Sequence, residues 1–243
     1  MHGHQNMRFY RNWCKDEDLV SFNVTVKESD LCILAEKQLK DEAFKLISRY
    51  RLILEKYIQQ NPSFRDSLKP ISVKGHVPPI VKEMIKASRK TGVGPMASVA
   101  GAVAEFVGKD LLDHSKEVII ENGGDIFIKT LKTRQIGIYA GDSLFTNKIA
   151  IRIEPDETPL GVCTSSGTVG HSLSFGKADA VVVTSPSTPL ADAAATAIGN
   201  FIKDESDISQ GIEFAKTIKG IKGILIIKND KMGIWGDVKI SQG

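Results

Sequence analysis

The sequence predicts an α+β protein with a mainly antiparallel sheet and helices packed on one face. Three observations predict it. Short apolar segments carry strand periodicity, most are joined by turns too tight to hold a crossover helix, and the longer amphipathic segments stand apart from them.

In chain order, Leu19–Lys27 alternates apolar and polar residues through Val20, Phe22, Val24 and Val26, as a half-buried strand does. Glu28-Ser-Asp turns the chain, and Leu31–Ala35 returns as a second strand. Glu36 to Gln59 is a long amphipathic helix, with Leu39, Ala43, Leu46, Ile47, Tyr50, Ile53 and Tyr57 on one face. The arginines and lysines opposite them read as a solvated surface. Asn61-Pro62 ends the helix, and Pro62–Pro79 reads as a loop-rich connection.

A second helix over Pro79–Arg89 stops at Thr91-Gly92. Pro95 suits the first turn of a third, whose Ala97, Ala100, Gly101, Ala102 and Ala104 permit close packing or close approach of a ligand to its backbone. Short strands follow at Glu117–Glu121, Ile126–Lys129, Gln135–Tyr139, Ile149–Ile153, Gly161–Thr164, Ala180–Thr184 and Gly223–Ile227, with a terminal one near Ile234–Ile240. Helices over Leu190–Lys203 and Ile208–Ile218 complete the helical layer. No repeat, low-complexity tract or linker divides the chain. Residues 1–243 therefore read as one domain, with 1–18 a loosely ordered arm.

Composition removes several function classes. The 243 residues carry a net charge of +3, and no Lys/Arg cluster interleaves with aromatics, so nucleic acid is not an expected partner. No apolar run approaches the ~20 residues that span a bilayer, and the opening MHGHQNMRFYRNW lacks a signal-peptide core. A cytoplasmic location is expected. Cys14, Cys32 and Cys163 have no metal-type pairing, which suits reduced thiols. The pair His2 and His4 reads as incidental to a frayed terminus.

Three segments could carry chemistry. Asn122, Gly123, Gly124 and Asp125 lie between apolar strands. Paired glycines can cradle phosphate with unshielded amides, and Asn-Gly is equally a hairpin dipeptide; the two readings are compatible. Cys163 precedes Thr164, Ser165, Ser166, Gly167 and Thr168, a set of hydroxyl and amide donors for phosphate or ribose, or simply a polar loop. Cys163 is a nucleophile or sulfur carrier only where its thiolate is stabilised, with His171 as the imidazole of the segment; otherwise it is an ordinary buried strand cysteine. In Pro189–Thr196 the Asp192 carboxylate and the Thr196 hydroxyl share a helix face, as oxygen donors for a hard cation such as Mg²⁺ would. Asp192 is also placed where a helix dipole favours an acid.

In this order the segments resemble the FAD:protein FMN transferase (ApbE-like) family. Gly94-Pro-Met-Ala97 matches its helix start, Asn122-Gly-Gly-Asp125 its Asn-Leu-Gly-Gly-Asp, and Ser165-Ser166-Gly167 its Thr-Ser-Gly. Ala191-Asp192-Ala-Ala-Ala-Thr196-Ala197 matches its Ala-Asp-x-x-x-Thr, the most specific piece. The resemblance covers about residues 90–200. It implies a T-fold-like core, FAD or another nucleotide as ligand, and Mg²⁺ held by Asp192, Thr196 and the carbonyl of Ala97.

Two departures stand out. Ser98-Val99 replaces the family's Lys-Gly, and His171 has no Asp-Pro after it, so the loop that positions flavin is rebuilt. The chain looks closest to the small cytoplasmic ApbE-related group, whose resemblance implies a link to sulfur assimilation and homocysteine formation. Three functions follow: a Mg²⁺-dependent flavin or group transferase, a persulfide carrier acting through Cys163 with a partner enzyme, or a flavin- or nucleotide-binding module without catalysis. Self-association stays open.

Overall fold

A computed structural model describes residues 18–73, 75–168 and 175–242. His171, Cys14, His2 and His4 lie outside the described residues, as does the arm up to residue 17.

The first strands, β1 (Val20–Val26) and β2 (Ser29–Ala35), form the expected hairpin. Helix α1 (Lys40–Gln60) follows, then α2 (Pro62–Asp66), α3 (Pro79–Thr91) and α4 (Val99–Leu111). The short α2 occupies part of the stretch expected to be loop, with Pro62 in its first turn and Phe64 wholly buried. Pro95–Ser98 is a separate 3₁₀ turn that leads into α4, so the third helix starts later than its proline suggests.

Strands β3 (Val118–Asn122), β4 (Asp125–Lys129), β5 (Arg134–Gly137), β6 (Ile149–Ile153), β7 (Leu160–Ser165) and β8 (Ala180–Ser185) precede α5 (Thr188–Phe201) and α6 (Ile208–Thr217). The chain closes with β9 (Gly223–Lys228), β10 (Lys231–Gly236) and β11 (Lys239–Gln242).

Eight strands form one sheet in the order β1-β2-β3-β4-β7-β8-β9-β10, and every neighbouring pair is antiparallel. The α+β layout read from the sequence is therefore what the chain adopts. Alternate residues of the strands face the helices: Ile33, Ile120 and Phe127 pack with residues of α1, α3 and α4, and Val181, Ile224 and Ile226 with α5 and α6. The other face, through Leu34, Ile119, Ile128, Val162 and Val182, packs against Ile136, Ile151 and Ile153. Those belong to a second sheet, β11-β6-β5, which covers it.

That second sheet corrects one expectation. The terminal strand near Ile234–Ile240 is two strands in different sheets, parted at Gly236, whose φ of +77° turns the chain. On the basic face of α1, Lys45, Arg49 and Lys56 are exposed as expected, and Arg51 is the exception. Arg51 is only 16% exposed and bonds Glu28, Ser29 and Glu55, tying α1 to the β1–β2 turn.

Candidate functional site

Three of the segments singled out in the sequence meet at one end of the large sheet. The β3–β4 turn and the exit of β7 lie at that end because antiparallel pairing sets Asn122 opposite Asp125 and Asp125 opposite Cys163. Alternation puts Asn122, Asp125 and Cys163 on the helix face, beneath α4 and α5.

The two helices above are held together by acids that each satisfy the other's open N-terminus. Asp192 Oδ2 of α5 accepts the Gly101 N–H of α4 at 2.9 Å. Glu105 Oε2 of α4 accepts the Thr188 N–H of α5 at 2.6 Å. Both acceptors fill donors that a helix leaves unpaired and both meet the positive end of its dipole. The contact is close because residue 101 is glycine: a Cβ there would sit 2.8 Å from the Thr188 carbonyl oxygen and 2.9 Å from Asp192 Cβ. Packing thus accounts for at least this member of the small-residue stripe. Asn122 Nδ2 donates to the Ala100 carbonyl at 3.0 Å and fixes the first turn of α4 from below.

The electrostatics are unusual for a purely structural cluster. Asp125, Cys163 and Asp192 are 7%, 0% and 8% exposed. Burial pushes the Asp192 carboxyl up to about 7, although the amides of Gly101 and Ala100 pull it down. Burial, and then the neighbouring Asp192 charge, push Asp125 well above the usual carboxylate range. Among the described residues neither acid has a lysine or arginine partner. Desolvation without a counter-charge is what raises them.

Cys163 corrects an expectation. A sulfur carrier needs a thiolate held at low pKa, and here burial, Asp125 and Asp192 all push the thiol up. Its Sγ donates to the Thr188 carbonyl at 3.5 Å, the behaviour of a core cysteine. Cys32 is buried as well.

The glycine pairs also read differently in place. Gly123 and Gly124 have φ of +68° and +103°, so the Asn-Gly hairpin forms as its dipeptide suggests. Gly124 N–H already donates to Glu121 Oε1 at 2.8 Å, and Gly167 N–H to the Ala178 carbonyl at 2.9 Å. Neither is open to phosphate. Gly123, Thr164, Ser165 and Ser166 remain accessible in whole or part. Thr196 is half-buried one helical turn beyond Asp192, and Ala97 is half-buried in the turn before α4. Beyond Thr168 a cleft of about 510 Å³ opens, lined by Tyr139, Asp142, Thr168, Asp179, Asn229 and Asp230. Asp192 and Thr196 do not line it.

Sequence reasoning missed Glu105 and Thr188, and gave no role to Glu121 at the head of the Asn122–Asp125 segment. A lone carboxylate in the otherwise apolar run of α4 was the available signal for Glu105, since such an acid is buried only with partners. Nothing local marked Thr188, whose buried hydroxyl has no hydrogen-bond partner among the described residues.

Comparison with known proteins decides the family. A family model described as "AbpE bacteria" matches residues 11–220. The chain belongs to this family. Curated relatives of this AbpE-family chain carry the name UPF0280 protein. That of Methanocaldococcus jannaschii is 43% identical over 221 residues, spanning 88% of this chain and 90% of the relative. That of Methanococcus aeolicus is 44% identical over 197 residues, or 79% of each. Among solved structures, the flavinyl transferase ApbE of Pseudomonas stutzeri in its apo form aligns with a TM-score of 0.61 at 15% identity, over 90% of this chain and 94% of that one. The flavin transferase ApbE of Vibrio cholerae aligns at 0.50 and 14% identity. Likeness at such identity establishes the fold. No helix among the described residues is long and apolar enough to cross a membrane.

Proposed function

We propose that this AbpE-family chain binds a phosphate-containing nucleotide or flavin with Mg²⁺ at the Asp192 end of the sheet and acts as a flavin-group transferase. The observation that carries the reading is a pair of buried carboxylates, Asp125 and Asp192, left without a cationic side chain among the described residues. Buried charge is costly unless paired or bound to metal. Acids strongly perturbed by desolvation cluster at functional sites.

The donors suit the ion. Among the described residues no three His, Cys, Asp or Glu side chains converge on a metal position. The fit therefore rests on mixed hard oxygens: the Asp192 carboxylate, the Thr196 hydroxyl and the Ala97 carbonyl. Mg²⁺ takes such a sparse protein set because waters and substrate phosphates supply its other ligands. When bound, the ion neutralises phosphate charge and favours displacement at phosphorus. The chain's own groups orient it: Gly101 holds Asp192, Asn122 fixes the first turn of α4, and Ser165 and Ser166 offer hydroxyls at the β7 exit. The flavinyl transferases of the same fold supply the reaction class.

Titration calorimetry of the full chain with FAD, with and without Mg²⁺, tests this. Binding that requires Mg²⁺ and disappears in Asp192→Asn and Thr196→Val is expected. Unchanged affinity in Asp192→Asn would overturn the assignment. No observation favours the persulfide reading, given the raised pKa and full burial of Cys163.

A further inference from the structure

A polar stripe runs along α5. Asp192, Thr196 and Asn200 succeed one another at intervals of four and so share one face, covering about 12 Å from first to last. At its far end the Asn200 carboxamide oxygen accepts the Phe175 N–H at 2.8 Å, and Lys203 Nζ donates to the Phe175 carbonyl. One side chain of the last turn of α5 and one just past its end thus grip the backbone of one residue. Phe175 as a whole is nevertheless 54% exposed. A large apolar side chain with its backbone fixed and its face in water gains little for the fold by burial, yet it stands one helical turn past Thr196. Ser165, beside Gly199 of the same helix, brings the β7 exit to this place (a Cβ on Gly199 would lie 3.2 Å from Ser165 Oγ).

We propose that Phe175 is a stacking platform for the planar heteroaromatic ring of the ligand whose phosphates lie at Asp192 and Thr196. The proposal rests on the metal–phosphate reading above and names what sets specificity in that site. Phosphate groups alone are common to many ligands. A ring stacked about one turn further along α5 selects those that carry a planar base or flavin at that distance. Phenylalanine suits the task because its face stacks on any such ring without hydrogen-bond readout.

The test uses the full chain with Mg²⁺ and four probes: inorganic pyrophosphate, FAD, FMN and ADP. Phe175→Ala should weaken at least one ring-bearing probe by about 10-fold to 100-fold, the usual effect of removing a stacking aromatic. Pyrophosphate affinity should be unchanged. The probe that loses affinity identifies the ring, flavin or adenine, that rests on Phe175. Phe175→Trp should restore binding, with the new indole's fluorescence quenched by the bound ring. Equal affinity of Phe175→Ala and wild type for all three ring-bearing probes overturns this inference and leaves the metal–phosphate reading intact. Absence of Mg²⁺-dependent binding of any probe to the wild type overturns both.

Discussion

Strand β3 has a buried acid cluster at each end, and the two are built on opposite principles. Just before its start, Glu117 is 5% exposed, and its Oε2 accepts Thr130 Oγ1 at 2.6 Å, Leu131 N–H at 2.9 Å and Arg134 at 2.9 Å. Arg134, itself 4% exposed, also pairs with Asp18 at 2.7 Å. Burial pushes Glu117 up, yet the bonds from Thr130, Leu131 and Arg134 outweigh it and hold the carboxyl below its ordinary range. Beyond the other end of β3, Asp125 and Asp192 are equally buried, receive backbone amide bonds, and among the described residues have no guanidinium or ammonium. Their pKa values rise. The fold therefore neutralises a buried acid where the role is structural. Where it does not, under the proposed function, a bound cation would supply the missing charge.

The comparison predicts a double contrast. Asp192→Asn should remove Mg²⁺-dependent FAD binding, while Glu117→Gln leaves it in place; calorimetry reads both. Loss in both variants would mean that binding only reports folding. Glu117→Ala should in turn destabilise the chain by about 3 kcal/mol, because it strands part of the charge of Arg134 in the interior. Urea unfolding at neutral pH measures this, and a cost below about 1 kcal/mol would place the network among weak surface pairs.

The pH profile sharpens the contrast, since the two ends titrate with opposite sign. Asp192 holds its proton up to about 7 in the folded chain, so the folded state binds more protons than the unfolded one above the ordinary carboxylate range. Without metal, this end makes stability fall as pH rises through about 7, and Asp125 acts in the same direction. Glu117 is lowered, so its contribution is present above the ordinary carboxylate pKa and is lost as pH falls. Asp192→Asn should flatten the decline between pH 5 and pH 8 and keep the acid limb. Unfolding midpoints across that range give the answer, and a slope equal to wild type would show that Asp192 is ionised at low cost.

Smaller effects test the rest of the site. Cys163 should resist alkylation in the native chain at pH 8 and react once unfolded, and fast native labelling would restore a role for its thiol. Asn122→Ala should cost about 1 kcal/mol through the lost bond to Ala100.

Much of this was legible in the sequence. Period-two alternation located the strands, Asn122-Gly123-Gly124 announced its hairpin, and the four-residue spacing of Asp192 and Thr196 put both on one face of a helix, because these patterns are local and follow from backbone geometry. Sheet membership was not legible. β6 and β11 pair although about ninety residues separate them, and nothing in the alternation of Ile149, Ile151 and Ile153 says which sheet they join. The chemistry at the site divides the same way. Sequence supplied the residue types Asp125, Cys163 and Asp192. Only packing decided that all three would be buried together without a counter-charge, that Glu105 would cap α5, and that Cys163 would be a core thiol with a raised pKa. Charge states depend on distance and solvent, and both are set by the tertiary fold.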